Sequence, residues 1–312
     1  MSDDYLWDGS GEPDPEVERL ENLLARYRSQ FPQRSEQPWG WFRRRTVLTP
    51  WRRAAMAAGL VLVAAGIWSA RQPVLSEWTI GSTAVAVGQT VRTGRSPATL
   101  NASNIGRLEL EPSSALRVLR AGTGKQLVEL QRGSMRAFIW APPAQFAAET
   151  KSAKAIDLGC AYRLSLQPDG SGLITVDVGW VAFQKGAIES FIPAGAACQT
   201  RVNTGPGLPY FQTASPSLRA AVKLFDESGG REGVSSILIH ARQEDALTVW
   251  HLLGRTAGAD RSAAAERLKE LVPGVDRVSL ESPEGVDAAW NKLGLGETSW
   301  WRKWGREWDG SR

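Results

Sequence analysis

The sequence predicts a mainly β ectodomain of the sandwich or jelly-roll type, a small α-helical C-terminal domain and one transmembrane helix ahead of both. One observation is an uncharged apolar run of seventeen residues, from Ala54 to Ala70. Another is apolar alternation with a period of two between Trp78 and about residue 200, and the third is helical spacing of apolar residues after Pro209. The predicted segments are a cytoplasmic tail (1–53), a transmembrane helix (54–70), a β domain (75–205) and a helical domain (215–312).

Arginines on one side of the apolar run set the predicted orientation. A span of seventeen residues is at the short end of what crosses a bilayer. Only Arg71 follows it at once, whereas several arginines precede it: Arg43, Arg44, Arg45, Arg52 and Arg53. Positive flanks stay in the cytoplasm, so we expect a single-pass protein of the bacterial inner membrane with most of the chain in the periplasm. The alternatives are a buried soluble helix and a cleaved signal peptide, whose charged region would exceed fifty residues.

The cytoplasmic tail carries one predicted amphipathic helix. Asp14, Pro15 and Glu16 are typical of a helix start. Apolar residues then recur at helical spacing, and they form the predicted partner-binding face: Val17, Leu20, Leu24 and Tyr27. Such a short helix is marginal alone in water, so it either docks on a partner or membrane or remains a solvated, partly helical tail.

Alternation is clearest over residues 155–166 and 173–183, which predict a hairpin about the turn at Pro168, Asp169 and Gly170. Five shorter runs precede it and predict further strands: 83–92, 106–111, 115–120, 125–131 and 135–140. Many short strands separated by turn residues are typical of a sandwich or jelly-roll.

The two cysteines, Cys160 and Cys198, both fall in the predicted periplasmic domain. Because that compartment is oxidising, we predict a disulfide, which would close a loop of about forty residues and stabilise the fold by roughly 3–4 kcal/mol. The alternative is a pair of buried thiols in the β core.

The sequence offers no catalytic, metal or cofactor site. His240 and His251 are eleven residues apart without a further ligand nearby, and neither a phosphate-binding glycine loop nor a nucleophile elbow occurs. Asp157 and Asp177 lie on the outward parity of adjacent strands, as an acid–base pair or, as we expect, as solvated residues. The net charge of +4 has no long basic run beyond the membrane flank, which argues against nucleic-acid binding.

The β segment resembles a FecR-type domain through an ordered series of short motifs. They are Val87-Gly88, 91–94, Leu100, 106–114 (GRLELEPSS), 127–133 (LVELQRG), Phe146 with Glu149-Thr150, 158–162 (LGCAY), 176–181 (VDVGWV) and 192–195 (IPAG). Proteins similar to this are transmembrane regulators, without catalytic activity, whose outer domain senses a signal, often from an outer-membrane transporter. Their inner tail binds an extracytoplasmic-function sigma factor.

This chain departs from that family in two places. Cys160 stands where the family usually has a small residue such as Thr, which suggests a disulfide-bearing branch. The tail is short for an anti-sigma domain and lacks the Cys and His of zinc-containing ones. The resemblance implies a sigma factor inside and an outer-membrane or periplasmic protein outside as partners. The alternative is an envelope scaffold or ligand-binding ectodomain without transcriptional output.

The C-terminal region shows four apolar stripes at helical spacing, which predict helices. They are Leu218, Val222 and Phe225; Leu247, Trp250 and Leu253; Ala265, Leu268 and Leu271; and Val286, Trp290 and Leu293. Further on, Trp300, Trp304 and Trp308 share one helical face among basic residues. A segment of this kind either lies in the interface of membrane lipid or packs onto its own domain.

Overall fold

Sixteen strands and five α-helices follow one another along the described part of the chain. The structure, a computed structural model, describes residues 75–296 apart from Thr123, and also Arg19. The strands are β1 Leu75–Ile80, β2 Thr83–Ala86, β3 Thr90–Arg92, β4 Ala98–Ala102, β5 Gly106–Leu110, β6 Ala115–Arg120, β7 Gln126–Ile139, β8 Phe146–Glu149, β9 Lys154–Asp157, β10 Ala161–Leu166, β11 Gly172–Val178, β12 Trp180–Lys185, β13 Ile188–Pro193, β14 Ala196–Arg201, β15 Gly205–Pro206 and β16 Tyr210–Phe211. The helices are α1 Pro216–Glu227, α2 Val234–His240, α3 Ala246–Arg255, α4 Gly258–Leu271 and α5 Pro283–Lys292. The fold is therefore mainly β with a small helical part after it, as the sequence predicts.

The strands form two sheets that share the long strand β7. The first sheet has the order β2–β1–β4–β5–β7–β10–β11–β14, and both β15 and β16 pair with β14. The second sheet has the order β3–β6–β7–β8–β9–β12–β13. The pairing is antiparallel except between β7 and β8, which run parallel.

The strand β7 passes from one sheet to the other at Gly133. Its first half pairs with β6 and β8, and its second half pairs with β5 and β10. Gly133 has a φ of 81°, and a Cβ there would lie 2.3 Å from the Ser114 Oγ. The predicted strands 125–131 and 135–140 are thus one strand bent at a glycine, because a positive φ with no room for a side chain suits only this residue.

Both arms of the predicted hairpin change sheets in the same way. The pairing of β10 with β11, with Tyr162 opposite Val176, confirms the hairpin. Its arms end at Gly159 (φ 86°) and Gly179 (φ 74°), beyond which β9 and β12 pair in the second sheet. The predicted unbroken strands 155–166 and 173–183 are therefore wrong at these two corners. A Cβ on Gly179 would lie 2.0 Å from the Gly159 carbonyl oxygen, so the corners depend on each other.

The strands and the helices share one hydrophobic core. Ser215 caps the start of helix α1, where its side chain accepts a hydrogen bond from the Leu218 N–H at 3.1 Å, and Pro216 is the first helical residue. Three of the predicted stripes are buried in full, and Trp290 is buried in the fourth. The predicted helical spacing is confirmed in α1, α3, α4 and α5.

No helix within residues 75–296 is long and apolar enough to cross a membrane. The predicted span from Ala54 to Ala70 lies outside the described residues.

Replacing Gly179 with alanine should destabilise the fold strongly. The added Cβ combines a left-handed backbone with a 2.0 Å clash against backbone, for an expected loss of about 2–4 kcal/mol in urea denaturation. Gly186→Ala is the matched control, since Gly186 has a φ of 56° and no atom within 4 Å of its added Cβ. The Gly186→Ala variant should lose only about 1 kcal/mol of unfolding free energy. Equal losses of unfolding free energy in the two variants would show that the Gly179 corner has room for a Cβ.

Candidate functional site

Helix α3 lies along the free edge of the second sheet and satisfies its backbone. Among the described strands, β13 ends this sheet and pairs on one side with β12. The Phe191 N–H donates to His251 Nε2 at 3.1 Å, and Arg255 Nη2 donates to the Glu189 carbonyl oxygen at 2.8 Å. Two α3 side chains thus bind the outward groups of alternate β13 residues. We call this contact between α3 and β13 the joint. It buries a strand edge that would otherwise be open to pairing with another chain.

The imidazole ring of His251 is neutral, and both of its nitrogens form hydrogen bonds in the joint. Its Nε2 accepts from Phe191, so the proton lies on Nδ1, which donates to the Leu247 carbonyl oxygen at 2.9 Å. Burial lowers the pKa of His251 to about 3, so the ring stays uncharged at neutral pH. Trp250 and Trp290 pack against it, with ring centroids 4.9 and 6.0 Å from the imidazole.

Arg255 brings a permanent charge into the same joint. Besides Glu189, its Nη2 donates to Ser190 Oγ at 2.9 Å, and its Nη1 donates to the Pro206 carbonyl oxygen at 3.2 Å. Burial lowers the pKa of the guanidinium, which nevertheless remains protonated because arginine titrates only at very high pH. Arg255 therefore ties β13 and β15 to the end of helix α3.

Asp226 supplies the opposite charge from helix α1. Its Oδ1 accepts from the Leu208 N–H at 3.0 Å, while Oδ2 has no hydrogen-bond partner among the described residues. The residue is 7% exposed, and a Cβ on Gly207 would lie 2.0 Å from Oδ2, so only glycine fits beside it. Burial raises the pKa of Asp226 to about 7, against the lowering effects of the Leu208 hydrogen bond and of Arg255 and Arg201.

Two cavities open on either side of Arg255. One, of about 360 Å³, lies beside Ile188, Leu208, Phe225 and Asp226. The other, of about 300 Å³, is lined by Ile188, Phe191, Trp250, His251 and Val286. Both fall within the size range of small-molecule sites, and they combine apolar walls with a few polar groups at fixed positions.

Cys198 and Ser190, two further polar side chains beside the cavities, both contact the Gly207 carbonyl oxygen. Cys198 is the nearby thiol, with its Sγ 3.4 Å from the Gly207 carbonyl oxygen, and burial raises the thiol pKa, so the reactive thiolate does not form. The Ser190 hydroxyl donates to the Gly207 carbonyl oxygen at 2.6 Å and accepts from Arg255 Nη2 at 2.9 Å. Within the described part of the chain, no three His, Cys, Asp or Glu side chains cluster as metal ligands do.

The predicted disulfide is wrong, because Cys160 and Cys198 are both free, buried thiols. Cys198 stands opposite Ile174 of β11, which in turn stands opposite Leu164 of β10. Two strand spacings, about 10 Å, therefore separate Cys198 from Leu164, and Cys160 lies four residues before Leu164, at the other end of β10. A disulfide needs Cα atoms within about 7 Å, so the two strands hold the sulfurs apart.

Asp157 is buried, contrary to the expectation of a solvated strand residue. Its carboxylate accepts from the Gly159 N–H at 2.7 Å and from the Cys160 thiol, and burial raises its pKa to about 7. Asp177 is half exposed and pairs with Arg136 at 2.9 Å. The two carboxylates thus have separate partners, and Asp157 holds the Gly159 corner.

The remaining predicted site residues lie outside the described part of the chain. They are the tail face (Val17, Leu20, Leu24, Tyr27), the membrane flank (Arg43, Arg44, Arg45, Arg52, Arg53) and the C-terminal tryptophans (Trp300, Trp304, Trp308).

Sequence reasoning overlooked Asp226 and Arg255 and treated His251 as a poor metal ligand. Asp226 follows Val222 by four residues and Phe225 by one, so it lies on the apolar stripe of α1. A carboxylate on such a stripe indicates a buried charge with a specific partner. Arg255 offered no comparable pattern, because its role depends on the edge of β13.

No protein-family model matches this chain, and neither does any curated protein. Two solved structures show partial similarity, both of a chain provisionally assigned as an anti-sigma factor from Parabacteroides distasonis, with 15% and 14% identity and a TM-score of 0.35 each. Each alignment covers 43% of this chain and 63% of the other. This chain therefore spans less than two thirds of the length of the structures it matches.

Both thiols should be present without a reducing agent and shielded in the folded state. Unreduced protein unfolded in denaturant should react with two equivalents of maleimide, and folded protein with almost none, because both sulfurs are buried. Cys160→Ser and Cys198→Ser controls should each lose one equivalent. Unfolded, unreduced protein that takes up no maleimide would mean that a bridge exists.

Stability should rise as the pH falls through neutrality. The pKa of Asp226 is raised to about 7 in the folded state from 3.8, so the folded state binds more protons between these values. Its stabilising contribution is complete below about pH 4 and is lost as the pH rises through 7. Asp226→Asn should therefore remove roughly 2–3 kcal/mol of the pH dependence of unfolding between pH 5 and pH 8.

The matched control for this prediction is Glu227→Gln. Glu227 is the next residue along α1, but it is exposed and pairs with Arg201 at the surface. This variant should keep nearly the whole wild-type slope of unfolding free energy against pH, because the charge of Glu227 is the weakest of the influences on the pKa of Asp226. An unchanged slope in Asp226→Asn would show that the carboxyl does not titrate in this range.

Proposed function

We propose that this chain is a membrane-anchored regulatory protein that resembles FecR-type regulators. In this proposal the β domain stands in the periplasm of a bacterial inner membrane and recognises an envelope signal. The tail helix with Val17, Leu20, Leu24 and Tyr27 contacts an extracytoplasmic-function sigma factor in the cytoplasm. The protein is not an enzyme, needs no cofactor and does not bind nucleic acid.

The observation that carries this proposal is the order of the FecR-like motifs along the strands. The motif 106–114 covers β5 and the turn into β6, and the motif 127–133 covers the first half of β7 up to its corner. The motifs 158–162 and 176–181 surround the two corners at Gly159 and Gly179. Three of these four motifs thus contain a glycine at which the chain changes sheets, which supports a resemblance based on architecture rather than on composition.

The joint between β13 and the helices is the best candidate for the place where a signal binds. It combines two cavities, one permanent cation and one carboxylate that titrates near neutrality. This pocket also favours the second candidate function, a ligand-binding ectodomain or envelope scaffold without transcriptional output. The partner outside would then be an outer-membrane or periplasmic protein, or a small ligand.

The two candidates differ in what the tail binds. If the tail regulates, Leu20→Asp with Leu24→Asp should abolish recovery of a sigma factor when the full chain is purified from membranes, and should change expression of the sigma-dependent genes. The reason is that two charges on the apolar face remove the surface that would be buried against the partner.

The matched control is Asn22→Asp with Ser29→Asp, which adds the same charge on the opposite face of the predicted helix. This variant should retain the sigma factor. A wild-type chain that recovers no sigma factor, together with unchanged gene expression in the Leu20 and Leu24 variant, would refute the regulatory proposal and leave the ligand-binding one.

A further inference from the structure

The last described residues lie against the start of β12. Trp180 Nε1 donates to the Leu295 carbonyl oxygen at 2.9 Å, and Trp290 Nε1 donates to the Gly296 carbonyl oxygen at 2.6 Å. A Cβ on Gly296 would lie 3.3 Å from the Trp180 ring. The chain therefore passes residue 296 directly over Trp180, with sixteen residues still to follow.

The helical part covers the outer face of the second sheet as far as this point. Trp290 of α5 packs edge-on against Phe191 of β13, with ring centroids 5.1 Å apart. Phe191 stands opposite Ala182, and Trp180 shares the face of Ala182 because it precedes it by two residues. The helical cover thus runs along this face and stops at Trp180.

Beyond the Gly179 corner the outer face continues in the first sheet and is apolar and exposed. Val178, two residues before Trp180, is 62% exposed. Val178 and Phe138 both stand opposite Ala161, on either side of it, so the three share one face. Trp140, two residues after Phe138, is 59% exposed. We call Phe138, Trp140, Ala161 and Val178 the corner patch.

Two arginine side chains pack against the Phe138 ring of the corner patch. The guanidinium carbons of Arg107 and Arg136 lie 4.7 and 5.1 Å from the centre of its ring. The Trp140 indole is fixed by a hydrogen bond from Nε1 to the Ser103 carbonyl oxygen at 2.9 Å. Rigid aromatic side chains flanked by arginine are typical of surfaces that bind another polypeptide.

The sixteen residues after Gly296 have the length and the pattern to cover this patch. Trp300, Trp304 and Trp308 follow at intervals of four, which places them on one face of a helix. Such a helix would extend about 12 Å from Trp300 to Trp308. Val178 and Phe138, two strand spacings apart, are separated by about 10 Å. The first tryptophan follows Gly296 by four residues, and Gly296 itself lies against Trp180, two residues from Val178.

We propose that the segment 297–312 docks on the corner patch of its own chain, with its three tryptophans against Phe138, Trp140 and Val178. The segment continues the cover that the C-terminal helices provide over the second sheet, past the Gly179 corner and onto the first. The docked segment covers the exposed aromatic surface of the corner patch, which is then no longer accessible to water or to other proteins.

Paired cysteines test this docking in the full chain held in detergent micelles. Val178→Cys with Trp304→Cys should form an intramolecular disulfide under mild oxidation. Leu173→Cys with Trp304→Cys is the matched control, since Leu173 is an exposed residue of the same strand five positions away. Because both pairs are tethered alike, docking should make the first pair react about tenfold faster than the control. Cys160 and Cys198 are buried and stay in place.

A second pair of changes tests the tryptophan face. Trp300→Ser and Trp308→Ser, added to the reactive pair, should slow its closure toward the rate of the control. Equal rates for the 178/304 and 173/304 pairs would overturn the proposal, and so would disulfides found between chains, which point to a second copy as the occupant. Protection of a cysteine at 304 from maleimide that appears only with phosphatidylglycerol vesicles would also overturn it, in favour of a lipid surface.

Discussion

The edge of β13 that no further described strand pairs with is the constraint on which the arrangement of sheets and helices depends. A terminal strand with unpaired backbone groups invites pairing with other chains, and burying those groups without partners is costly. Helix α3 resolves both problems by placing His251 on the Phe191 N–H and Arg255 on the Glu189 carbonyl oxygen. The helical part is therefore not an independent appendage, because the second sheet needs its side chains to complete an edge.

The same constraint explains why charges are buried at the joint. Carbonyl groups at the strand edge need donors, and a guanidinium offers several in one plane. Once Arg255 is buried among carbonyl oxygens, a carboxylate nearby offsets part of its charge, and Asp226 is positioned for this by the Leu208 N–H and by the space above Gly207. His251 completes the edge without adding charge, since burial keeps it neutral.

Apolar periodicity predicts the elements of this fold well and their connections less well. It identifies the hairpin at Tyr162 and Val176 and the helical stripes, because these depend on one buried face. It does not reveal the corners at Gly159 and Gly179, where alternation continues while the strand changes sheets, and at Gly133 it divides one bent strand into two. Asp157 was expected in solvent for this reason, since β9 is buried on both faces in the second sheet.

The candidate site was harder to predict because its residues come from three separated elements. The position of Asp226 on the apolar stripe of α1 is a local signal of a buried charge. The roles of Arg255 and His251 depend instead on a strand about sixty residues earlier in the chain. The disulfide prediction rests on the oxidising compartment and on the presence of two cysteines. Neither observation shows how far apart the two cysteines lie, and two strand spacings separate their strands.

The distribution of charge at the joint gives one group a special position. Arg255 is cationic and His251 is neutral throughout the physiological range, and the Cys198 thiol remains protonated because burial raises its pKa. Asp226 alone among these four changes charge near pH 7. Below that pH the larger cavity carries the unbalanced charge of Arg255, and above it the carboxylate balances that charge. The charge within this cavity therefore becomes more positive as the pH falls, because the Asp226 carboxyl becomes neutral while the guanidinium does not.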